Sequence, residues 1–288
     1  MQYFDFNQFP LSHRHYGGSE RKIGVLIHGD PFMLKFQKNT PFGVRFNTIS
    51  EYLGSHIYQM LGFDCQDTFL GTYDGQEVVA CKDFVVDGSQ FVPFNDVGES
   101  TIETDKEQYQ YSYEDIMALL LSNKKLTNVE ETVSSFFEIY IVDALLGNFD
   151  RHGANWGFLK KDGHYRMAPV FDNGSCLFPS LTDEEEMRRI LQDEEEINLR
   201  VYGFPTSQIQ LNGKKSSYYE VISSLRFEEV SKALAKVFPR IDLSRVDALI
   251  DDIDILSETH RAFYKTMIAH RYEKILRVSY LKLQEAKK

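Results

Sequence analysis

Leu145-Leu146-Gly147-Asn148-Phe149-Asp150-Arg151-His152-Gly153-Ala154-Asn155 and, further on, Met167-Ala168-Pro169-Val170-Phe171-Asp172-Asn173-Gly174 set three oxygen-bearing side chains at the ends of apolar segments. Upstream, Val129–Gly147 carries Val133, Phe136, Phe137, Ile139, Tyr140, Ile141, Val142, Ala144, Leu145 and Leu146. A segment apolar on nearly every face predicts a buried central helix, which delivers the chain into Asp150. Met167–Phe171 predicts a strand that carries Asp172 out of the core. Asp150, Asn155 and Asp172 therefore emerge from the interior as a group. Singly, each has a plainer reading: an Asp before Gly is a turn residue, Asn155 closes an Asx-turn, and His152 is a surface histidine. His152 with the two acids also leaves a metal-hydrolase site open.

The spacing narrows these readings. Protein kinases place a catalytic Asp five residues before a metal-binding Asn, and a second metal-binding Asp at the head of a D-F-G turn. Asp150 and Asn155 have that spacing, and Asp172-Asn173-Gly174 stands where the D-F-G turn belongs. Phosphoryl transfer needs positioned phosphates, Mg²⁺ against the developing charge, and a carboxylate to orient the incoming hydroxyl. Mg²⁺ takes one or two carboxylates besides phosphate oxygens and water, which Asp172 and Asn155 can supply.

The upstream chain provides the complementary parts. Tyr16-Gly17-Gly18-Ser19-Glu20-Arg21-Lys22 reads as a turn, and Ile23–His28 and Phe32–Phe36 as strands joined by Gly29-Asp30-Pro31. Backbone N–H groups reach phosphate where no Cβ intervenes, and a strand lysine adds a point charge. Lys35 alternates away from Leu34 and Phe36 and faces either solvent or a cleft. Residues 48–62 read as a helix capped by Thr48 or Ser50 and ended by Gly62. Glu51, in its first turn, either complements the helix dipole or pairs with Lys35. Cys65–Tyr73 and Glu77–Phe84 read as a hairpin around Asp74-Gly75, a type I′ signal, and its second strand runs out through Lys82-Asp83-Phe84.

The 288 residues suffice for one large domain or two lobes, and 42% apolar with 26% charged residues is a globular profile. A net charge of −11 argues against a phosphate-backbone binder, so no direct nucleic-acid contact is expected. Cys65, Cys81 and Cys176 have no metal-ligand spacing and suit a reducing compartment as small buried residues. The first residues lack a basic-then-apolar pattern, and no window is long and apolar enough to span a membrane. A cytoplasmic protein is expected, with export lacking a cleaved signal left open. Residues 95–112 read as a polar loop, Thr182–Asn198 as a solvated face or mobile acidic loop, and Tyr113–Ser122, Tyr218–Leu225, Glu228–Phe238, Ser244–Ile255 and Ser257–Lys287 as helices.

On Gly17-Gly18-Ser19…Lys22, Phe32–Phe36, Asn148–Asn155 and Val170–Gly174 the chain resembles the HipA-like serine/threonine kinases in their short form. That resemblance implies an α+β, two-lobed protein-kinase-like fold related to phosphoinositide kinases. A β-rich N-lobe (1–84), a hinge and following loop (85–112) and a mainly helical C-lobe (113–288) are expected. It implies ATP and Mg²⁺ as cofactors, Asp150 as catalytic base, and Asn155 and Asp172 as metal ligands. Lys35, paired with Glu51, would hold the α/β-phosphates. Gly17, Gly18, Ser19 and Lys22 would cover them, Lys82, Asp83 and Phe84 would form the hinge, and His152 would join the ATP contacts. Family members autophosphorylate near the glycine turn, which points to Ser19, with Ser12 open. The substrate would be a protein Ser/Thr hydroxyl, and an antitoxin-like or host-protein partner is open. The chain departs from full-length HipA toxins in having no room for their N-terminal subdomain, and its turn is not G-x-G-x-x-G. The alternatives are a nucleotide-binding pseudokinase acting as an interaction module, and a small-molecule or lipid kinase on the same fold.

Overall fold

Lys35 lies on β3, the fourth strand across a five-stranded sheet ordered β1-β6-β7-β3-β2, with β1 parallel to β6 and the remaining pairs antiparallel. In chain order these are β1 (Tyr3–Asp5), β2 (Lys22–Ile27), β3 (Asp30–Phe36), the ribbon β4 (Asn39–Thr40) and β5 (Gly43–Val44), helix α1 (Asn47–Met60), β6 (Thr68–Tyr73) and β7 (Gln76–Lys82). The computed structural model describes residues 2–17, 21–40, 43–96, 111–122, 126 and 128–286. Gly18, Ser19 and Glu20, and positions 97–110 of the expected polar loop, lie outside the described residues.

Strand alternation decides where Lys35 points. Phe32, Leu34 and Phe36 face a small core shared with Phe6, Val25, Val78 and Ala80. The opposite face of the sheet gives Val79 and Cys81 to the main core, with Ile49 and Leu53 of α1. Lys35 is on that second face, and only 8% of its surface is exposed. It faces the cleft, not bulk solvent.

Several local expectations are corrected. The β2–β3 turn is His28-Gly29, both at positive φ (51° and 92°), as a type I′ turn requires; Asp30 and Pro31 already belong to β3. Asp74-Gly75 turns in the expected way, with φ of 50° and 69°. Helix α1 starts at Asn47 with Phe46 as its N-cap, and neither Thr48 nor Ser50 caps it, because both are buried within the helix. Glu51 is thus beyond the first turn, where a dipole role would have placed it. Gly62 does end the helix, at φ 83°, with its N–H donated to Gln59 O.

The C-terminal part adds β8 (Gln90–Pro93), β9 (Tyr111–Ser112), α2 (Tyr113–Ser122), α3 (Val129–Leu146), β10 (Gly157–Lys161), β11 (His164–Met167), α4 (Glu184–Gln192) and α5 (Glu194–Asn198). There follow β12 (Thr206–Leu211), β13 (Lys214–Ser217), α6 (Tyr218–Ser223), α7 (Glu228–Val237), α8 (Leu243–Asp251), α9 (Glu258–Arg271), a π-helical stretch Tyr272–Arg277 and α10 (Val278–Glu285). Helix α3 is the expected central helix. Asn128 caps it by accepting from Glu131 N, and Gly147 closes it in the left-handed conformation at φ 65°. Its side chains join α1, the inner face of the sheet and the later helices in one continuous core.

Met167–Phe171 is not a strand. Strand β11 ends at Met167, and beyond it only Val170 bridges to Cys65. The acidic stretch Thr182–Asn198 is likewise helical, because Met187, Ile190 and Ile197 recur at helical spacing and are buried, while Asp183 and Asp193 cap the two helices. The hairpins β10–β11 and β12–β13 were not anticipated. All three cysteines are buried and free.

Candidate active site

Three segments converge on Lys35. Its Nζ lies 2.8 Å from Glu51 Oε2 on α1 and 2.9 Å from Asp172 Oδ1. Burial works against the ammonium, but the Asp172 and Glu51 carboxylates outweigh it and hold Lys35 well above the ordinary lysine range. Glu51 uses its other oxygen, Oε1, to accept from Asn173 N at 2.8 Å. One carboxylate therefore ties the strand lysine to the turn that follows Phe171.

Asp172 has φ 59°, a left-handed conformation that Asp tolerates better than most residues. Burial would raise its carboxyl, yet Lys35 holds it below the ordinary aspartate range. Lys35 takes only Oδ1, and the side chain keeps 39% exposure, so Oδ2 is left toward the cleft. Asn155 donates Nδ2 to Asp150 O at 2.7 Å, which leaves its own Oδ1 as a free acceptor among the described contacts. Asp172 and Asn155 thus each keep one oxygen outside the described hydrogen bonds. Among the described residues no group of three or more His, Cys, Asp or Glu converges as a metal site.

Asp150 is held by its backbone, and its carboxylate is left for chemistry. Asn148 Oδ1 accepts from Asp150 N at 3.0 Å, and Asn155 binds Asp150 O. The carboxylate makes one close approach, 3.8 Å to His152 Nε2. Burial first, and then the Asp172 charge, push Asp150 above the ordinary aspartate value of 3.8, with His152 acting against them. The resemblance implies that Asp150 is the base, and a base works only when deprotonated, so in that role the rate rises with pH through this carboxyl. We expect the acid limb of the kcat–pH profile to lie above 3.8 and to disappear in Asp150→Asn; steady-state rates across the acidic range check this.

The remaining expected residues are placed less centrally. Lys22 stands opposite Lys35 across β2–β3 and donates to Gly17 O at 2.6 Å. Lys82 closes β7 and pairs with Asp30 at 2.8 Å. Asp83 donates its N–H to Pro31 O at 2.8 Å and pairs with Arg14. Phe84, Phe91 and Phe171 contact one another with ring centroids 5.2–5.9 Å apart, forming an aromatic wall next to Asp172.

Beneath the loop is a buried network that the motif reading passed over. Asp143 on α3 accepts from Arg151 Nε at 3.0 Å and Nη2 at 3.1 Å, from Tyr58 OH at 2.8 Å and from Asn148 Nδ2 at 2.8 Å. Arg151 also donates to Asn155 O, Phe171 O and Asn173 Oδ1. One guanidinium thus fixes the segments carrying Asp150, Asn155 and Asp172 against each other. The available signal was Asp143 itself, the one acid inside the apolar run Ile139–Leu146.

Asn173, fully buried, completes the network by donating Nδ2 to Ser55 Oγ at 3.0 Å. Gly54 allows this approach: a Cβ there would lie 2.6 Å from Asn173 Cβ. Gly54→Ala gains about 1 kcal/mol of helix propensity and loses about 1–3 kcal/mol to overpacking. We expect it to change thermal stability little while displacing the Asp172 turn, which lowers kcat by up to about 10²-fold. Melting curves and initial rates on one preparation check this.

A sheet-rich and a helical part, with Lys35 of the sheet paired to Glu51 and Asp172, are the frame within which the chain compares with known kinases. A family model for the HipA-like C-terminal domain matches residues 15–257, and the chain belongs to that family. It is 33% identical over 276 residues to the serine/threonine-protein kinase CtkA of Helicobacter pylori (strain J99), covering 93% of this chain and 84% of that one. The crystal structure of a Helicobacter pylori proinflammatory kinase CtkA superposes with a TM-score of 0.88 at 32% identity, over 100% of both chains. HipA of Shewanella oneidensis MR-1, solved with HipB and operator DNA, superposes with a TM-score of 0.59 at 14% identity, over 93% of this chain and 66% of that one, which is a likeness of fold. Among the described residues no helix is long and apolar enough to cross a membrane.

Proposed function

We propose that this serine/threonine kinase transfers the γ-phosphoryl group of ATP to hydroxyls of a protein substrate, with the cleft around Lys35 as the site of transfer. The observation that carries this reading is the double pairing of Lys35 with Glu51 and Asp172, above a loop that presents Asp150 and Asn155. In this reading Lys35 holds the α/β-phosphates, and Gly17 and Lys22 belong to the turn that covers them. Lys82–Phe84 form the hinge, and the aromatic wall of Phe84, Phe91 and Phe171 is the apolar surface for adenine. Asp172 and Asn155 hold Mg²⁺, which neutralises charge on the transferred group. Asp150 accepts the proton of the attacking hydroxyl and orients it, and His152 keeps the approach polar. The lobes are assigned as 1–84 and 113–288, joined through the hinge and the segment after it.

Transfer to its own chain, at Ser19 or Ser12, belongs to the same reading, and phosphopeptide mapping of purified protein locates it. The test of the whole is incubation with γ-labelled ATP and Mg²⁺, with protein and lipid acceptors present, followed by acid hydrolysis. Label on phosphoserine or phosphothreonine is expected. Label confined to lipid, or to inorganic phosphate, would falsify the protein-kinase reading. ATP binding without any transfer would instead support the pseudokinase.

A further inference from the structure

Beside the catalytic loop the chain leaves an apolar groove of about 400 Å³ whose floor is Phe149, the residue preceding Asp150. Its walls are Phe178, Pro179 and Leu181 from the segment after Asn173-Gly174, and Leu199 and Phe204 from the segment after α5. The rings of Phe149 and Phe204 are 5.6 Å apart, and Phe204 and Phe178 6.3 Å. Leu199 and Phe204 are nonetheless 61% and 49% exposed, with Tyr202 at 37% between them. Large apolar side chains clustered in the open beside a catalytic loop are unusual on a folded surface.

The charge around the groove is acidic on balance, although Arg45 lies over the Phe149 ring, 5.9 Å from its centroid. Between Asp183 and Arg200 eight carboxylates stand against three arginines. Arg200, the cation in the wall, is neutralised by Glu196 at 2.5 Å and by Glu186 at 3.7 Å, and Glu186 itself lines the groove. An occupant with basic residues is therefore favoured and an acidic one is repelled.

Building on the protein-kinase reading, we propose that this groove is the docking site for the substrate segment. It takes a bulky apolar side chain flanking the acceptor serine or threonine, and the acidic faces of α4 and α5 take basic residues further along the same segment. Continuity with Phe149 supports this, because Phe149 lines the groove and directly precedes Asp150 in the chain, so a segment whose hydroxyl reaches Asp150 passes beside the groove. The segment between Asp172 and α4 is fixed from both sides: Leu177 N donates to Leu146 O at 2.9 Å, and Phe46 N to Pro179 O at 2.8 Å. The groove wall is thus tied to the same elements that set Asp150 and Glu51.

The experiment is a peptide array with a fixed Ser or Thr and randomised flanks, phosphorylated by the wild type, Leu199→Arg and Leu121→Arg. Leu121 on α2 is equally exposed and lies outside the groove. The wild type is expected to select a large apolar residue at one flanking position and Lys or Arg at others. For the selected peptide, Leu199→Arg should raise KM about tenfold, the scale of discrimination an apolar pocket provides. Its KM for ATP should stay within about twofold, and Leu121→Arg should behave as wild type. Active wild type with no apolar preference, or a Leu199→Arg effect that falls on ATP instead of on the peptide, overturns the groove assignment alone. A wild type that labels no peptide or protein overturns the kinase reading with it. A dimer in light scattering that Leu199→Arg splits would assign the patch to a second copy of the chain.

Discussion

Asp150→Ala is expected to lower the rate of phosphoryl transfer by about 10²–10⁴-fold, the usual contribution of a positioned acid or base. Affinity for ATP should stay near wild type, because in this account Lys35, Asp172 and Asn155 carry the nucleotide and its metal. Stability should also hold. The side chain is 46% exposed and its approach to His152 is 3.8 Å, so no buried partner is orphaned by its loss. The loop is anchored through the backbone of Asp150, by Asn148 and Asn155, and that survives the substitution. A loss of kcat with unchanged ATP binding and unchanged melting therefore marks Asp150 as chemical. Parallel losses of rate and stability would mark it as structural.

Asp143→Ala is expected to do the reverse, destabilising the fold by about 3–5 kcal/mol, the cost of leaving a buried ion without its partner. Asp143 is 1% exposed and Arg151 8%. Without the carboxylate, the guanidinium keeps only carbonyl and amide acceptors, and Tyr58 and Asn148 each lose one. At about 2–4 °C per kcal/mol for a chain of this size or somewhat smaller, melting should fall by roughly 5–20 °C. Activity should fall too, through the positions of Asp150 and Asp172. Replacing both charges together, with Asp143→Leu and Arg151→Met, is expected to recover part of the stability and little of the activity. Equal melting for wild type and Asp143→Ala would contradict the role given to the network.

The Asp150–Asn155 loop was legible because its residues are chemically constrained at fixed spacing: Asp150, Asn155 and Asp172 emerge from apolar segments, and a strand lysine and a helix glutamate precede them. The structure brings Glu51 and Asp172 to Lys35, and ties Asn155 to the backbone of Asp150. The alternatives left open for Lys35 and Glu51 were settled by contacts across the chain, which periodicity does not contain. Lys35 is buried on the same face as α1 because β3 is an inner strand, and Glu51 is drawn to it and to Asn173 N. The strand expected at Met167–Phe171 failed because an apolar run with a proline fits a buried extended segment as well as a ladder. The acidic stretch after Thr182 was legible in part: its glutamates do make a solvated face, but on two helices and not on a mobile loop. Its glutamates dominate the composition, yet Met187, Ile190 and Ile197 recur at helical spacing and bury one face. Arg151 and Asn173 lay inside the motif without a role: Asp143 is only eight residues before Arg151, but the other members of the network, Tyr58 and Ser55, are distant in sequence and come near only through the packing of α1.

The central claim is that one cleft transfers phosphate from ATP to a protein hydroxyl through Asp150 and Asp172. Label transfer from γ-labelled ATP to a protein acceptor, measured side by side for the wild type, Asp150→Ala and Asp172→Asn at saturating ATP and Mg²⁺, tests it most directly. Labelled phosphoserine or phosphothreonine is expected from the wild type, and a loss of at least about 10²-fold in each variant, with all three proteins folded. Transfer that persists at the wild-type rate in either variant would contradict it.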